Sequence, residues 1–184
     1  MTSTAPQTKT TTWNLDAAHS TAEFKVRHMM ISNVKGRFTS ISGALTLDET
    51  DISNSRVEAT IEAASIHTGD GQRDGHLKSA DFFDVEKFPS LTFRSTRVKR
   101  TGDDEVAVTG DLTIHGVTRE VVFKVEGLTP PAKDPWGNTR IGLSAVAKIN
   151  RKEFGLAWNS ALETGGVLVG DEITITLEVQ FVKA

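Results

Sequence analysis

At 184 residues the chain has the length of one domain, and folding it would bury about 70% of its extended surface. A formal charge of −3, from 21 Lys and Arg against 24 Asp and Glu, lacks the cation excess that a phosphate backbone demands, so no nucleic-acid partner is expected. The chain has no cysteine, which removes disulfides and thiol chemistry, and no apolar run approaches a membrane span, so no stable membrane insertion is expected.

Residues 1–12 read as a flexible leading segment and residues 13–184 as a single domain. Within that domain apolar and polar residues alternate with the period of two that marks a half-buried strand. Ala22, Phe24 and Val26 alternate with Glu23, Lys25 and Arg27, and His28 continues the apolar face. Between Gly36 and Leu47 the phase slips once. Phe38 stands on one parity and Ile41, Gly43, Leu45 and Leu47 on the other, which predicts a bulge or strong bend near Ser40. Val57, Ala59, Ile61 and Ala63 then share one face, against Arg56, Glu58, Thr60 and Glu62.

Residues 66–89 break the pattern, being dense in glycine, charge and histidine and then aromatic. A long excursion inside a sheet protein is expected to be a lid, a plug or a site. Thr68 is placed to cap a short helix reaching Lys78, residues 79–84 to form a tight turn, and Phe82, Phe83 and Phe88 to plug or line the interior. Beyond the excursion Leu91, Phe93 and Ser95 share a face, while Arg94, Arg97, Lys99 and Arg100 read as a solvated strand surface. His115-Gly116 predicts a two-residue hairpin turn that pairs Ile114 with Val117, Gly110 with Val121, Val108 with Phe123 and Val106 with Val125. The same register puts Arg119 beside Leu112, either at a rim with its head in water or with a partner inside. Residues 129–138 carry three prolines and cannot continue a strand.

Ile141, Leu143, Ala145, Ala147 and Ile149, and then Ile173, Ile175, Leu177, Val179 and Phe181, complete the inward set. One wet and one dry face on every strand predicts an all-β chain, an antiparallel β-barrel of about eight strands with a short helical excursion between strands. Many inward residues are small: Ala22, Gly43, Ala59, Ala63, Gly110, Ala145 and Ala147. Facing a barrel axis they leave space, and an apolar tail entering it gains up to about 0.8 kcal/mol per methylene before ordering costs. The competing reading is that they fit the taper of a twisted barrel.

The five histidines (His19, His28, His67, His76 and His115) show neither His-Glu-x-x-His nor His-x-His spacing, so no metal site and no cofactor are expected. Ser20 and Ser95 lack a Gly-x-Ser-x-Gly setting, and no catalytic residue is assigned. Arg73 and Arg151 have the fork geometry to receive a pyrophosphate or carbonyl. Equally, Asp74 can cap helix amides, Arg73 can tie its loop to strand carbonyls, and His28 can be a satisfied core histidine.

Thr68, Arg73-Asp74, His76-Leu77, Asp81-Phe82-Phe83-Asp84 and Phe88-Pro89 resemble the signature of the YceI-like family. The resemblance extends from Trp13-Asn14-Leu15-Asp16, His19-Ser20 and Gly36-Arg37-Phe38 through residues 110–118 and Arg151-Lys152-Glu153-Phe154-Gly155 to Val169-Gly170-Asp171-Glu172. It implies a lipocalin-like barrel whose partner is a long-chain apolar small molecule: a polyisoprenoid, polyprenyl phosphate or isoprenoid quinone. Such a ligand would be bound without catalysis for transport, storage or sequestration. Phe24, Val26, Ile61, Phe93, Val108, Val121, Phe123, Leu143 and Ile175 are then expected to line the interior or its closed end. Arg73, His76 and His28 are expected at a polar mouth, and Ser95 is a further inward polar candidate. The different-class alternative is an enzyme acting on an isoprenoid, lipid ester or diphosphate, and a third reading is an accessory that shields a quinone. A homodimer is compatible with the family. Many relatives are exported, whereas the first ten residues here show no apolar signal core, so the chain is expected to be cytoplasmic.

Overall fold

The computed structural model describes residues 9–163 and 165–184. Most of the expected flexible segment, residues 1–8, lies outside them. The described residues form a 12-stranded antiparallel sheet. In chain order the strands are β1 Thr10–Leu15, β2 Thr21–His28, β3 Ser32–Phe38, β4 Ile41–Asp48, β5 Arg56–Glu62 and β6 Ile66–His67. Helix α1, Gly71–Lys78, follows, and then β7 Ser90–Gly102, β8 Glu105–Ile114, β9 Val117–Glu126, β10 Ala132–Lys133, β11 Thr139–Asn150 and β12 Val169–Lys183. Strand β1 starts inside the segment expected to be flexible, with Thr10, Thr11 and Thr12 paired to Asp48, Leu47 and Thr46.

Strand β12 closes the barrel. One of its edges pairs with β11 from Glu172 to Val182. Its other edge takes β2 over residues 169–178 and β1 over residues 181–183. From β1 the ladder runs through β4, β5, β7, β8 and β9 back to β11, an eight-strand ring as expected. Strands β2, β3 and β6 extend the wall where β1 has left it.

The β8–β9 register agrees with the sequence reading at every predicted pair. His115 and Gly116 both adopt positive φ, 54° and 72°, as a primed two-residue turn requires. Arg119 lies at the rim, exposed, and donates to the Thr118 carbonyl at 3.2 Å. Residues 79–84 form the expected turn, in which the N–H groups of Phe82 and Asp84 both donate to the Ser79 carbonyl.

Of the bulge or bend expected near Ser40 the chain uses the bend, a corner between strands: β3 pairs with β2 and β6, whereas β4 pairs with β1 and β5. A bulge lies in β7, where pairing jumps from Ser95–Gly110 to Arg97–Thr109, and the extra residue moves Val98 onto the inward face after Phe93. Thr68 does not cap α1. Asp70 does, its carboxylate accepting from the N–H groups of Gln72 and Arg73 at 3.0 and 3.1 Å. Within residues 129–138 the chain also finds room for the two-residue strand β10 on the edge of β11.

The glycines expected to open space admit neighbours instead. A Cβ on Gly110 would lie 2.4 Å from the Arg94 carbonyl oxygen and 2.5 Å from the Phe93 ring, and one on Gly43 would lie 2.6 Å from the Glu58 carbonyl oxygen. Gly110→Val is therefore expected to lower stability by about 1–3 kcal/mol through overpacking. Urea unfolding reads this, and an unchanged midpoint would mean that the site has slack.

Where β11 begins and β12 finishes, Arg140 joins two carboxylates, with Nη1 2.5 Å from Asp16 and Nε 2.6 Å from Asp134. Arg140 first, and then His19, hold the Asp16 carboxyl at about 2, and Arg140 is also the main cause of a value of about 2 at Asp134. Depressed carboxyl pKa values add stability above the unfolded-state value of about 4, and that contribution is lost as pH falls towards the folded value. Arg140→Met is expected to lower Tm by about 4–8 °C at neutral pH. The gap to the unaltered protein should narrow as pH falls from about 4 to about 2. A gap constant across that range would mean that Arg140 acts by packing rather than charge.

Candidate functional site

Alternation directs the apolar residue of each pair inward, and the inward sets of the ring strands enclose a cavity of about 260 Å³. Phe24, Val26, Ile61, Phe93, Val108, Phe123, Leu143 and Ile175 all line it, together with the small residues Ala22, Ala59 and Ala145. Polar atoms contribute almost nothing to its surface. Ala63 and Ala147 are buried but do not reach it, nor does Val121, which packs in the core at Gly110 of the neighbouring strand.

The wall closes differently at its two ends. Leu77 of α1, Phe82 and Phe83 come over the end nearest Leu156 and Val169, while Leu47, Ile52 and Leu128 approach from the end nearest Phe181. Aromatic contacts join cap to wall: Phe38 lies 5.8 Å from Phe24 and 5.9 Å, edge-on, from Phe83. Phe93 meets Phe123 edge-on at 5.1 Å deeper in the barrel. Trp158 packs outside Phe82 at 5.4 Å. Trp13 is fully buried beside Leu45, Ile141, Val179 and Phe181, whereas Trp136 is an exposed loop residue.

None of the four polar candidates reaches the cavity surface. Ser95 accepts the Val57 N–H at 2.9 Å, one step beyond Glu58–Arg94, the last β5–β7 pair. His28 ends β2, opposite Ser32 and Val169. Arg73 donates from Nε and Nη2 to the hydroxyl and carbonyl of Thr68, at 2.8 and 3.0 Å. Asp74 accepts from the N–H and hydroxyl of the same threonine at 2.9 and 2.5 Å. Burial pushes the Asp74 carboxyl up, but these two bonds, together with the nearby His67 and Lys78, outweigh it and leave the group below its ordinary value. His76 pairs with Asp81 at 2.8 Å and sets its ring edge-on to Phe82 and Trp158, at 5.1 and 4.7 Å. The Thr68–Arg73–Asp74 cluster thus ties the start of the excursion to α1, and His76 braces the cap from outside.

Arg151 has a role that its sequence motif did not disclose. Only 2% exposed, it contributes to the cavity wall, and its guanidinium donates to four carbonyls. These are Gly170 at 2.8 Å, Leu156 at 2.6 Å, Trp158 at 2.9 Å and Val169 at 3.2 Å. It thereby stitches the long β11–β12 connection to the start of β12. Burial lowers its pKa, and Asp171, 3.9 Å away, opposes that shift. The visible signal was an arginine just after a strand and ahead of Gly155, whose φ of 77° turns the chain back. Arg151→Lys keeps the charge but cannot span four acceptors. It is expected to cost about 3 kcal/mol and to raise hydrogen exchange selectively in residues 155–163 and 165–168. Uniform protection across wild type and variant would remove Arg151 from this role.

Comparison with known proteins gives a consistent assignment. A YceI-like domain matches residues 13–181. A UPF0312 protein of Staphylococcus aureus is 39% identical over 172 residues, covering 93% of this chain and 97% of that protein. BcnA of Burkholderia cenocepacia has a similar structure, with a TM-score of 0.77 at 25% identity over 90% of this chain and 98% of that one. A YceI protein of Campylobacter jejuni gives 0.73 at 32% identity, over 87% and 91% of the two chains. A polyisoprenoid-binding domain from Saccharophagus degradans shares the fold at a TM-score of 0.68 and 16% identity, over 94% and 98% of the two chains. The motifs, the closed ring and these relatives agree: the chain belongs to the YceI-like family.

Proposed function

We propose that the protein binds a long apolar lipid in its barrel lumen, without chemistry, for transport, storage or sequestration. The observation that carries this reading is the wall itself, apolar from one end of the barrel to the other. A polyisoprenoid, polyprenyl phosphate or isoprenoid quinone suits it, because such a chain exchanges water for carbon along its whole length. The fold shared with the Saccharophagus degradans domain, described as polyisoprenoid-binding, supports the same class of ligand.

At about 260 Å³ the cavity falls just below the ~300–1,000 Å³ usual for small-molecule sites. A long chain therefore enters by displacing Phe82 and Phe83, or leaves its far end outside. The head group stays at the capped end, where Arg73 and His76 flank the excursion and His28 ends β2. The wall presents carbon rather than an acid–base pair, which favours carriage over turnover.

Val108→Trp fills the lumen from a wall position. It is expected to weaken uptake of a fluorescent polyene fatty acid by about tenfold or more, with native-like circular dichroism retained. Undiminished uptake by the folded variant would place the ligand elsewhere. Incubation with geranylgeranyl diphosphate should return the compound intact, and release of its phosphates would favour the enzyme reading instead.

A further inference from the structure

The β2–β3 hairpin ends in Met29, Met30 and Ile31, which are 43%, 59% and 72% exposed. Three apolar side chains in a row reverse ordinary turn chemistry, which places Asn, Asp or Gly where φ is positive. Here Met29 and Met30 themselves hold φ of 51° and 57°. The tip is anchored sideways: the Met29 N–H donates to the Leu168 carbonyl at 2.7 Å. Gly166 makes room for Met30, since a Cβ there would overlap its sulfur, and Val167 adds an apolar side chain 39% exposed. The patch is therefore built from two separate segments of chain.

The outward face of the same hairpin is basic. Lys25 stands directly opposite Lys35, Arg27 lies next to the tip, and Arg37 is one step further along. Like charges facing each other across two strands cost stability, so this arrangement works against the fold. Among the described residues none of these four cations has a carboxylate within ion-pair distance. Arg27 donates instead to the Met30 carbonyl at 3.2 Å. Glu23 is the acid of this face, opposite Arg37, and the adjoining β12 presents the neutral Thr174 and Thr176. Glu172, further along β12, is engaged by Lys148 at 3.6 Å. In a chain of net charge −3 these cations form a local excess against the overall sign.

An apolar tip rimmed by unpaired cations matches the two requirements of peripheral attachment to an anionic bilayer. Apolar side chains enter the acyl boundary, and Lys and Arg meet the phosphates. We propose that residues 29–31 and Val167, with Lys25, Arg27, Lys35 and Arg37, form a docking surface for a membrane containing anionic lipid. The surface adjoins the capped end of the barrel, because Val169 both lines the cavity and pairs with His28. It goes beyond the lumen reading and stands whether or not a lipid enters the barrel.

Sedimentation with phosphatidylcholine vesicles, with and without phosphatidylglycerol, tests the proposal on the full chain. The protein should pellet with the mixed vesicles about tenfold more strongly than with the neutral ones, and release as salt is raised. Met30→Ser with Ile31→Ser should lower that binding about tenfold. Lys25→Gln with Lys35→Gln should lower it and flatten its salt dependence, while raising Tm by relieving the facing charges, so a loss of fold cannot imitate the result. No binding to mixed vesicles at low salt would overturn the proposal, as would variants that bind like the wild type. A tip-dependent dimer without vesicle binding would make the surface a contact between copies. Capture of single-stranded DNA in place of vesicles would make it a polyanion site.

Discussion

The hydrogen-bonded closure made by β12 is the constraint on which the rest of the molecule depends. Because one strand is paired along both edges, by β11 on one side and by β2 and β1 in succession on the other, the ring has no free edge there. Ladder pairing satisfies much of the backbone within the wall, most extensively between β11 and β12 and over only three pairs between β9 and β11, so most inward side chains can be apolar. Closure also demands curvature. The β7 bulge, the corner between β3 and β4, and the glycines that let Phe93 and Phe24 fold over a neighbouring strand all supply it. These devices are geometric, and the apolar lumen is their by-product as much as their purpose.

In this frame alanines and aromatic rings share the wall of the cavity, Ala59 standing directly opposite Phe93. Ala22, Ala59 and Ala145 line it between the Phe82–Phe83 cap and the Ile52–Leu128 end. The polar residues that border the cap are occupied by one another: Thr68 with Arg73 and Asp74, His76 with Asp81, Arg151 with four carbonyls. This is how a helical excursion can lie across an apolar opening without burying unmatched polar groups. Beyond the two-residue β3–β6 ladder and the Ala63–Pro89 backbone bond at its two ends, side-chain contacts tie the cap to the wall.

Much of the fold was legible because alternation and turn chemistry are local. His115-Gly116 fixed the β8–β9 pairing, and parity alone placed Phe24, Ile61, Phe93, Val108 and Ile175 on the wall. What stayed hidden depends on partners distant in sequence. The slip at Ser40 becomes a corner only when β3 and β4 are known to pair with different strands. Gly110 reads as empty space until the Phe93 ring is seen to occupy it. Arg73 and Arg151 carry the chemistry of oxygen binding, and nothing in their immediate sequence tells a ligand oxygen from a backbone carbonyl. The exposed methionines of the β2–β3 turn were equally invisible, since apolar residues at a strand end look like core until the turn is located.

Native mass spectrometry of protein purified without detergent, followed by solvent extraction of whatever is released, tests the central claim most directly. A lumen that carries lipid predicts a stoichiometric mass increment that disappears on extraction and is identified as an isoprenoid, a quinone or another long apolar chain. A bare polypeptide mass that stays bare after incubation with polyprenyl alcohols would contradict it, and would make the apolar cavity a loosely filled core.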